Sequence, residues 1–549
     1  MNTNQESNNT IKNTQEKGSF LKKINIKAPD EFLEYLKGKI IKGHEKEFLA
    51  GLITMIVSTI ICYFYEMLYG LGCPDTLCEG LRYYRNADYA TSQARWMIRY
   101  INTLAAKSIV IPALTVSLYC LMIGICALII CRMMKIEKVL YVVLLTALMI
   151  GFPVVSHHFS YLYMALAYSF AFLMTVVGVA VLRTRKIYLF PISVICFLMM
   201  MGSYQSYISA VSALAVIMFI YDIVKEEKLS KAFSNLGFSA LAGVLAAALD
   251  LPVSKLMMKI YHTPTEGRVN EFSFELIRTN IKFSIEYGTR WFFMFFKNDV
   301  LSQNILYLAI FACILILTVV IFVLKIKNKK YAHAFMLLIA TLVLPLSMNF
   351  ILILLPTNGI RNIMRYQYVL IFALLFFYHS YIGNKLFNNL LAYVSVAAAG
   401  LLLCAYAIIA NCTTFMYKYS YDYAEQQALF MLEEIYDLDE YVPDETPIVM
   451  GGAFSYTPVK DRYPMIFRYA AQEGGPIFWL DANGMIVCRY HFFKDFMGVE
   501  ARYFTVPEYE EAVRSDEYKE MPCWPANGSI KMIGDKAVIK LWEEAPTIY

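Results

Sequence analysis

The chain has 549 residues, of which 58% are hydrophobic and 17% charged, and its formal net charge is +5. Apolar runs of about twenty residues, long enough to cross a bilayer core of roughly 30 Å, recur along it. This composition excludes a soluble globular domain and a disordered chain, and it predicts a polytopic α-helical membrane protein.

The N-terminal region precedes the first apolar run. Residues 1–28 are polar and low in complexity, and no short apolar segment with a small-residue cleavage site follows them. We therefore expect a disordered cytoplasmic tail and no removable signal peptide. Within residues 29–48, Phe32, Leu36 and Ile40 recur at helical spacing beside several lysines. This pattern predicts a juxtamembrane amphipathic helix on the inner membrane surface, and the alternative is an extension of the first span.

A multi-spanning region is predicted over residues 49–412, with about eleven transmembrane helices. The candidate spans lie near 50–71, 109–131, 139–155, 164–182, 187–203, 207–224, 236–254, 305–324, 332–355, 367–382 and 390–412. Short connections rich in Lys and Arg alternate with short connections that have none, so the positive-inside rule places the basic loops and the N-terminus in the cytoplasm. Parity then places outside the segments 72–108, 255–304, 356–366 and everything from 413 onward.

The first outer loop is unusually charged for a segment between two apolar spans. The stretch "LGCPDTLCEGLRYYRNADYATSQARWMIRY" (71–100) carries seven Asp, Glu and Arg side chains. Charges in an outer loop are usually solvated, and this interpretation suits Glu79, Arg82 and Arg85.

A catalytic interpretation suits the other charges of this loop. A carboxylate at the bilayer surface can act as general base toward a sugar hydroxyl, and a guanidinium can bind a phosphate through paired donors. The candidate bases are Asp75 and Asp88, and Arg95 followed by Trp96 is the candidate substrate-binding pair. An enzyme with a lipid-phosphate-linked substrate needs both kinds of group at this depth.

The twelve cysteines show no metal-binding spacing, and most lie in apolar runs, where a free Cys acts as a small hydrophobe. Cys73 and Cys78 are the exception, because they bracket Asp75 on the outer side, where a disulfide is chemically permitted. A bridge between them would fix the loop around Asp75. The alternative is two unpaired thiols.

Other polar residues stand at the outer ends of spans. His157 and His158 either bind a divalent cation together with Asp75 and Asp88, or are amphipathic side chains at the membrane interface. Gln205 either hydrogen-bonds a sugar or satisfies the backbone at a helix end. The residues imply no other cofactor.

The C-terminal segment, residues 413–549, differs in composition from the rest. It holds 12 Lys and Arg against 23 Asp and Glu, and it lacks the basic face of a nucleic-acid-binding domain. A helical pattern, "YAEQQALFMLEEIYDL", precedes short strand-like runs such as "TPIVMGG", "MIVCRY" and "AVIKLW". We predict a small extracytoplasmic α/β domain.

Four stretches, taken in order, resemble a known family. They are "ARW" (94–96), "FPVVSHHFSYLYMALAYSFA" (152–171), "GSYQSYIS" (202–209) and "MPCWPANGSIKMIGDKAVIKLW" (521–542). With the acidic first outer loop, they make the chain similar to the bacterial glucosyltransferase family II, which is related to the serotype-converting O-antigen glucosyltransferases. The positions that match the family's motifs are Asp75, Arg95, Trp96, Phe152, Pro153, Tyr204 and Gln205.

The chain also departs from the family's pattern. The Gly that precedes Arg-Trp in the family is Ala94 here, and the Gly that commonly follows the first-loop Asp is Thr76. An acidic residue that many members carry in the second outer loop is missing from "YLYMALAYS" (161–169). Because of this last departure, Asp75 and Asp88 are the favoured candidates for the catalytic carboxylate.

The resemblance implies the C class of glycosyltransferase folds, a many-helix bundle with an outward-facing active site at the bacterial plasma membrane. It implies transfer of a hexose, glucose by the family's name, from undecaprenyl phosphate to a surface glycan or glycolipid, with inversion. Asp75, with Asp88 as runner-up, would be the base, and Arg95 with Arg361 or Arg365 would meet the leaving phosphate. Tyr204 and Gln205 would contact substrate. A synthase and a flippase for the lipid-linked sugar would be functional partners.

Two other classes of protein compete with this interpretation. A transporter or flippase would place ionisable groups near mid-membrane and use broken helices in paired halves. The predicted spans hold few such groups, with Glu66 and Asp250 near span ends, and no internal repeat is visible. A noncatalytic surface scaffold would need neither Asp75 nor Asp88.

Overall fold

The computed structural model describes residues 43–85, 87–264, 274–297, 300–353, 360–452, 457–471, 491–499, 502 and 504–541. Two compact units, Met1–Ala50 and Gly51–Tyr549, divide the chain, and the architecture below is that of the second. The predicted tail and most of the predicted amphipathic helix lie outside the described residues. Residues 45–48 of that predicted segment form the start of the first helix.

The described chain is dominated by helices. In chain order they are α1 (Glu45–Tyr69), α2 (Pro74–Gly80), α3 (Ala87–Ser92), α4 (Met97–Ala106), α5 (Pro112–Met133), α6 (Val139–Gly151), α7 (Pro153–Phe159), α8 (Leu162–Arg183), α9 (Phe190–Ser203), α10 (Ile208–Val224), α11 (Leu229–Ile260), α12 (Phe274–Phe296), α13 (Gln303–Lys327), α14 (Tyr331–Ser347), α15 (Leu370–Ile382), α16 (Leu386–Tyr436), α17 (Thr457–Arg462), α18 (Pro464–Tyr469), α19 (Val506–Arg514) and α20 (Asp516–Glu520). A π-helix spans Phe492–Met497.

Eight stretches of the described chain are long and apolar enough to cross a membrane. They are Glu45–Tyr69, Pro112–Met133, Val139–Phe159, Leu162–Arg183, Gln205–Val224, Leu229–Ile260, Val300–Lys327 and Leu386–Tyr436. The shorter apolar helices Ile187–Ser203, Tyr331–Ser347 and Tyr366–Ile382 coincide with the remaining predicted spans. A helical membrane protein is therefore confirmed, whereas the count of eleven spans stays a prediction.

Burial separates the centre of the bundle from its rim. The apolar window of Gln205–Val224 is 94% buried, whereas those of α1 and α11 are only 28% buried. On α1 the side chains of Ile53, Ile56 and Ile60 are exposed. Lipid tails are as apolar as these side chains, so such a face is stable in a bilayer. We infer that α10 lies at the centre and that α1 and α11 face lipid.

The first outer loop folds onto the ends of the bundle through three short helices. Its helix α4 packs on α8 and α9, and α3 packs on α11. Asn102 Nδ2 donates to the carbonyl of Tyr163 at 3.0 Å, and the ring of Tyr84 stacks on that of Tyr163. The loop is therefore a packed cap and not a solvated connection.

The helix α16 runs through the predicted domain boundary at 412/413. It has 51 residues, or about 76 Å at 1.5 Å per residue, which is more than twice a bilayer core of about 30 Å. Its second half, "TTFMYKYSYDYAEQQALF", contains neither Pro nor Gly, so no residue interrupts the helix where the composition changes. Consequently, the helix leaves the apolar bundle without a break.

A three-stranded sheet follows α16, with β1 (Ile448–Gly451), β2 (Ile530–Ile533) and β3 (Lys536–Lys540) in the order β1-β3-β2. β1 is parallel and β2 antiparallel to β3. The runs "TPIVMGG" and "AVIKLW" coincide with β1 and β3, while "MIVCRY" lies outside the described residues. A separate extracytoplasmic domain from residue 413 stays a prediction.

Candidate active site

The short helix α2 carries Asp75 and is anchored to the second outer loop. Pro74 supplies the pre-set φ of a first helical residue, and the backbone N–H of Cys73 donates to the carbonyl of Ser160 at 2.9 Å. Thr76 Oγ1 donates to the same carbonyl at 2.9 Å. At Gly72 a Cβ would lie 2.5 Å from that oxygen, so only glycine permits this approach.

Asp75 stands in the first turn of α2 and is partly buried. Burial raises the pKa of its carboxyl above the usual range, and the positive charge of Arg361 opposes that rise. The structure thus places a carboxylate with a raised pKa beside a guanidinium from the segment that precedes α15. A general base needs such a pKa, closer to neutrality than that of a free aspartate.

Asp88 is placed differently from Asp75. Its side chain is 71% exposed and forms an ion pair with Arg99, whose guanidinium also lies 3.9 Å from the centre of the Tyr261 ring. An exposed carboxylate that already has a cationic partner resembles a solvated ion pair more than a tuned base. The pKa shift of Asp75 arises from burial and from Arg361, with no contribution from Asp88.

Arg95 lies over the ring of Tyr204, with 5.1 Å between the guanidinium carbon and the ring centre. Its Nε is buried and has no hydrogen-bond partner among the described residues. The preceding residue, Ala94, has φ of 61°, in the left-handed region that favours glycine. A glycine would adopt this conformation without strain, whereas Ala94 adopts it at a conformational cost.

Trp96 is fixed by a carboxylate that the sequence interpretation did not assign to the site. Its indole Nε1 donates to Asp250 Oδ1 on α11 at 3.1 Å, and Asp250 is 6% exposed. At Gly202 a Cβ would lie 2.3 Å from the indole, so the glycine makes room for the ring. The sequence places Asp250 near a span end but does not indicate its partner, which is 154 residues away along the chain.

We expect Asp250→Leu to lower the free energy of unfolding by about 1–3 kcal/mol, because the buried indole N–H would lose its acceptor. Asp250→Asn keeps an acceptor oxygen, so its cost should stay below about 1 kcal/mol. Thermal unfolding of the detergent-solubilised protein measures both variants. Equal losses for the two would show that the hydrogen bond from Trp96 contributes nothing to stability.

Tyr204 and Gln205 both contact the "ARW" segment. Tyr204 is buried beneath Arg95, and its ring centre lies 4.9 Å from that of Tyr168. Gln205 Nε2 donates to the backbone carbonyls of Gln93 at 3.3 Å and Ala94 at 3.0 Å. Gln205 therefore satisfies backbone carbonyls of the turn before Arg95, and a hydrogen bond from Gln205 to a sugar stays a prediction.

Arg361 and Arg365 flank a short 3₁₀ segment, Asn362–Met364. Arg361 is exposed, with Asp75 within electrostatic range. Arg365 is partly buried and donates to Asn362 Oδ1 and to the Ile360 carbonyl, both at 2.8 Å. The first arginine is thus available to a ligand, while the second has hydrogen bonds that shape its own loop.

Both histidines are buried, and His158 has no nitrogen left for a metal. Its Nε2 lies 2.9 Å from the Ile363 carbonyl, which can only accept, so Nε2 carries the proton and Nδ1 accepts from Tyr119 Oη at 2.7 Å. His157 lies within electrostatic range of Arg365. Among the described residues no group of three His, Cys, Asp or Glu side chains is placed to hold a metal ion.

The two cysteine alternatives for the first outer loop are both wrong. Cys73 is a buried free thiol, while Cys78 is disulfide-bonded. These two residues are therefore neither bridged to each other nor both unpaired. Cys73 is the N-cap residue of α2, and Cys78 lies inside that helix, so the two side chains point to different sides of it.

Aromatic rings connect Arg95 to the loop that holds Arg361 and Arg365. From Arg95 the contacts run through Tyr204 and Tyr168 to His158, whose ring centre is 4.4 Å from that of Tyr168. His158 then donates to Ile363, between the two arginines at 361 and 365. These contacts link Arg95 to the loop of Arg361, and Arg361 in turn lies within electrostatic range of Asp75.

The described chain is thus a helical membrane protein whose packed first outer loop carries carboxylates and arginines. A family model described as glucosyl transferase GtrII matches residues 79–378, which is more than half of the chain. The chain belongs to this family, and it is therefore a glycosyltransferase. The match includes Asp88, Arg95 and Arg361 but begins after Asp75. No curated protein and no solved structure matches the chain.

Proposed function

We propose that the protein transfers a hexose, glucose in keeping with its family, from a polyprenyl phosphate to a cell-surface glycan or glycolipid. The observation that carries this proposal is a partly buried carboxylate, Asp75, that has Arg361 within electrostatic range and shares its loop with Arg95, which lies over the Tyr204 ring. A base and an anion site are the two groups that displacement of a sugar phosphate requires.

The proposed topology follows from the distribution of charge. Eleven spans, with the three shorter apolar helices included, would keep the N-terminus and the basic connections in the cytoplasm of a bacterial cell. The site and the residues from 413 onward would then face outward. Nucleotide sugars are cytoplasmic, so an outward-facing site would draw on a lipid-linked donor that a synthase makes and a flippase delivers.

The proposed reaction is a single displacement. Asp75 takes the proton of the acceptor hydroxyl while that oxygen forms a bond to the anomeric carbon. The bond between the anomeric carbon and the phosphate oxygen breaks, and the electron pair leaves with polyprenyl phosphate. Arg95 and Arg361 stabilise the negative charge that develops there, and Arg365 holds the loop of Arg361. The anomeric configuration is inverted.

The test of this function is transfer of radiolabelled glucose into membrane-bound glycan by the purified, reconstituted protein. Undecaprenyl phosphate glucose should be a donor, and a nucleotide-linked glucose supplied to the same vesicles should not. If no polyprenyl-linked hexose is used, the proposal fails and a transporter or flippase becomes the better interpretation. A flippase would move the lipid-linked sugar between leaflets without breaking its phosphate bond.

The pH dependence of transfer should depend on Arg361. Protonated Asp75 cannot act as a base, so the rate should fall about tenfold per pH unit below its pKa. Arg361→Gln removes the charge that opposes the rise of this pKa, so the acidic limb of the kcat profile should move to higher pH. The readout is the pH at which the acidic limb lies, and not the height of the kcat plateau. Arg82→Gln, at an exposed position of the loop that carries Asp75, should leave the limb in place.

A further inference from the structure

The C-terminal part of the chain contacts the first outer loop through His491 and Asp495, which both lie against Arg85 of that loop. Arg85 Nη2 lies 2.6 Å from Asp495 Oδ1, and Arg85 Nη1 lies 2.7 Å from His491 Nδ1. His491 Nδ1 is also 2.7 Å from Asp495 Oδ2. One nitrogen cannot serve both neighbours at once, because it must carry a proton to donate to Asp495 and lack one to accept from Arg85. Arg85 to Asp495 is the contact that holds in either state.

The charges of this cluster are set by its surroundings. Burial tends to raise the pKa of Asp495, but hydrogen bonds from Arg85 and His491 outweigh it and lower that pKa. Burial lowers the pKa of His491, and the charge of Arg85 acts in the same direction. At neutral pH the cluster is therefore an ion pair of Arg85 with Asp495 beside a neutral imidazole.

Aromatic packing joins the same segment to the bundle. Phe492 and Phe493 of the π-helix are buried in the main hydrophobic core. The ring of Phe496 lies 4.9 Å from that of Tyr421 on α16, which is itself within electrostatic range of Cys73. The π-helix also contacts α2. It thus packs between α16 and the helix that carries Asp75.

Helix α2 depends on its neighbours for its position. It has seven residues, and an isolated helix shorter than about 12 residues is marginal in water. The Ser160 carbonyl accepts hydrogen bonds from the start of α2. Near the end of the helix, the backbone N–H of Arg85 donates to the backbone carbonyl of Glu79 at 2.9 Å. Arg85 therefore links the end of α2 to Asp495.

We propose that residues 491–497, together with Arg85, form a clamp that positions Asp75 for catalysis. In this clamp Arg85, His491 and Asp495 are positioning residues, which act through α2 and touch no substrate. The inference rests on the proposed function, because it takes Asp75 as the base. It gives the C-terminal part of the chain a role in the transfer step itself.

Opening the clamp should lower kcat and leave KM for the donor nearly unchanged. Arg85→Ala and Asp495→Asn should each reduce kcat by about tenfold or more, because small displacements of a catalytic group cost up to a hundredfold. Hydrogen exchange of the backbone amides of residues 74–80 should become at least about tenfold faster, as expected when a local opening costs less free energy. The exchange readout does not depend on activity.

A charge reversal separates positioning from general loss of stability. Arg85→Asp and Asp495→Arg should each be impaired, and the double variant should regain kcat to within about fivefold of the wild type. The matched control is Arg502→Ala, since Arg502 pairs with Glu508 at 2.7 Å and the exposures of the two pairs, 39% and 18% against 39% and 15%, are alike. This control should leave both readouts unchanged.

The clamp is overturned if Arg85→Ala and Asp495→Asn keep wild-type kcat and amide exchange. It is also overturned if their losses equal that of Arg502→Ala or are not restored by the double variant. Failure of the proposed function is a separate result, in which Asp75→Asn retains transfer. In that case faster exchange at residues 74–80 in Arg85→Ala would still support the clamp as a structural link.

Discussion

Asp75→Asn should lower the rate of sugar transfer by at least about a hundredfold, whereas Asp88→Asn should leave it within about threefold of the wild type. The amide at position 75 keeps the size of the carboxylate but cannot accept the hydroxyl proton. Asp75 is partly buried, with its pKa raised by burial, while Asp88 is exposed and paired with Arg99. Only the first has the environment of a base.

Transfer from undecaprenyl phosphate glucose, at matched protein levels in reconstituted membranes, measures both variants. Equal thermal unfolding of Asp75→Asn and the wild type would show that the loss is chemical and not a failure to fold. If Asp88→Asn is the inactive variant, the roles of the two residues are reversed. If both retain full activity, neither carboxylate is the base and the mechanism is wrong.

The apolar helices were predictable because crossing a membrane imposes a strong and local rule on composition. Each of the eleven predicted segments overlaps an apolar helix of the structure. The end of the last helix was harder to predict from the sequence, because α16 continues to Tyr436 after its side chains become polar. A change of composition marks where a helix meets water, but only a cap, Pro or Gly marks where it ends.

The site was only partly predictable, because its contacts join distant parts of the chain. The density of charge between two spans is local information, and it marked Asp75 and Arg95 as candidate site residues, whose roles stay a prediction. Nothing near Trp96 indicates Asp250, and nothing near Arg85 indicates Asp495, which is why Arg85 was expected on a solvated face. The signal for Asp250 was its presence within an apolar span, where an ionisable residue is functional by default.

The structure also changes how the "ARW" segment is understood. Gln205 holds the carbonyls before Arg95, Asp250 holds the indole after it, and Tyr204 lies beneath its guanidinium. The residues on both sides of Arg95 are thereby anchored. Among the described residues, Arg95 has no Asp or Glu in an ion pair that would neutralise its charge. A preorganised cation of this kind gains most when negative charge develops on a leaving group.

Arg95→Ala should therefore lower kcat by about a hundredfold, with a smaller rise in KM for the lipid donor. Arg95→Lys keeps the charge but not the paired donors, so it should recover only part of the loss. Tyr204→Leu removes the ring beneath the guanidinium and should cost a few-fold, as expected for a cation–π contact of about 1 kcal/mol. The donor concentration dependence of transfer separates kcat from KM.

Arg82→Ala is the matched control, because Arg82 is an exposed arginine of the same loop and its loss removes the same charge. If both arginine variants lose activity equally, the effect is a long-range one of net charge, and high salt should then abolish the difference from the wild type. If Arg95→Ala alone changes KM and leaves kcat intact, Arg95 binds donor and product phosphate equally. Arg361 would then be the residue that stabilises the leaving phosphate. Because Arg361 also lowers the pKa of Asp75, it would act on both the base and the leaving group.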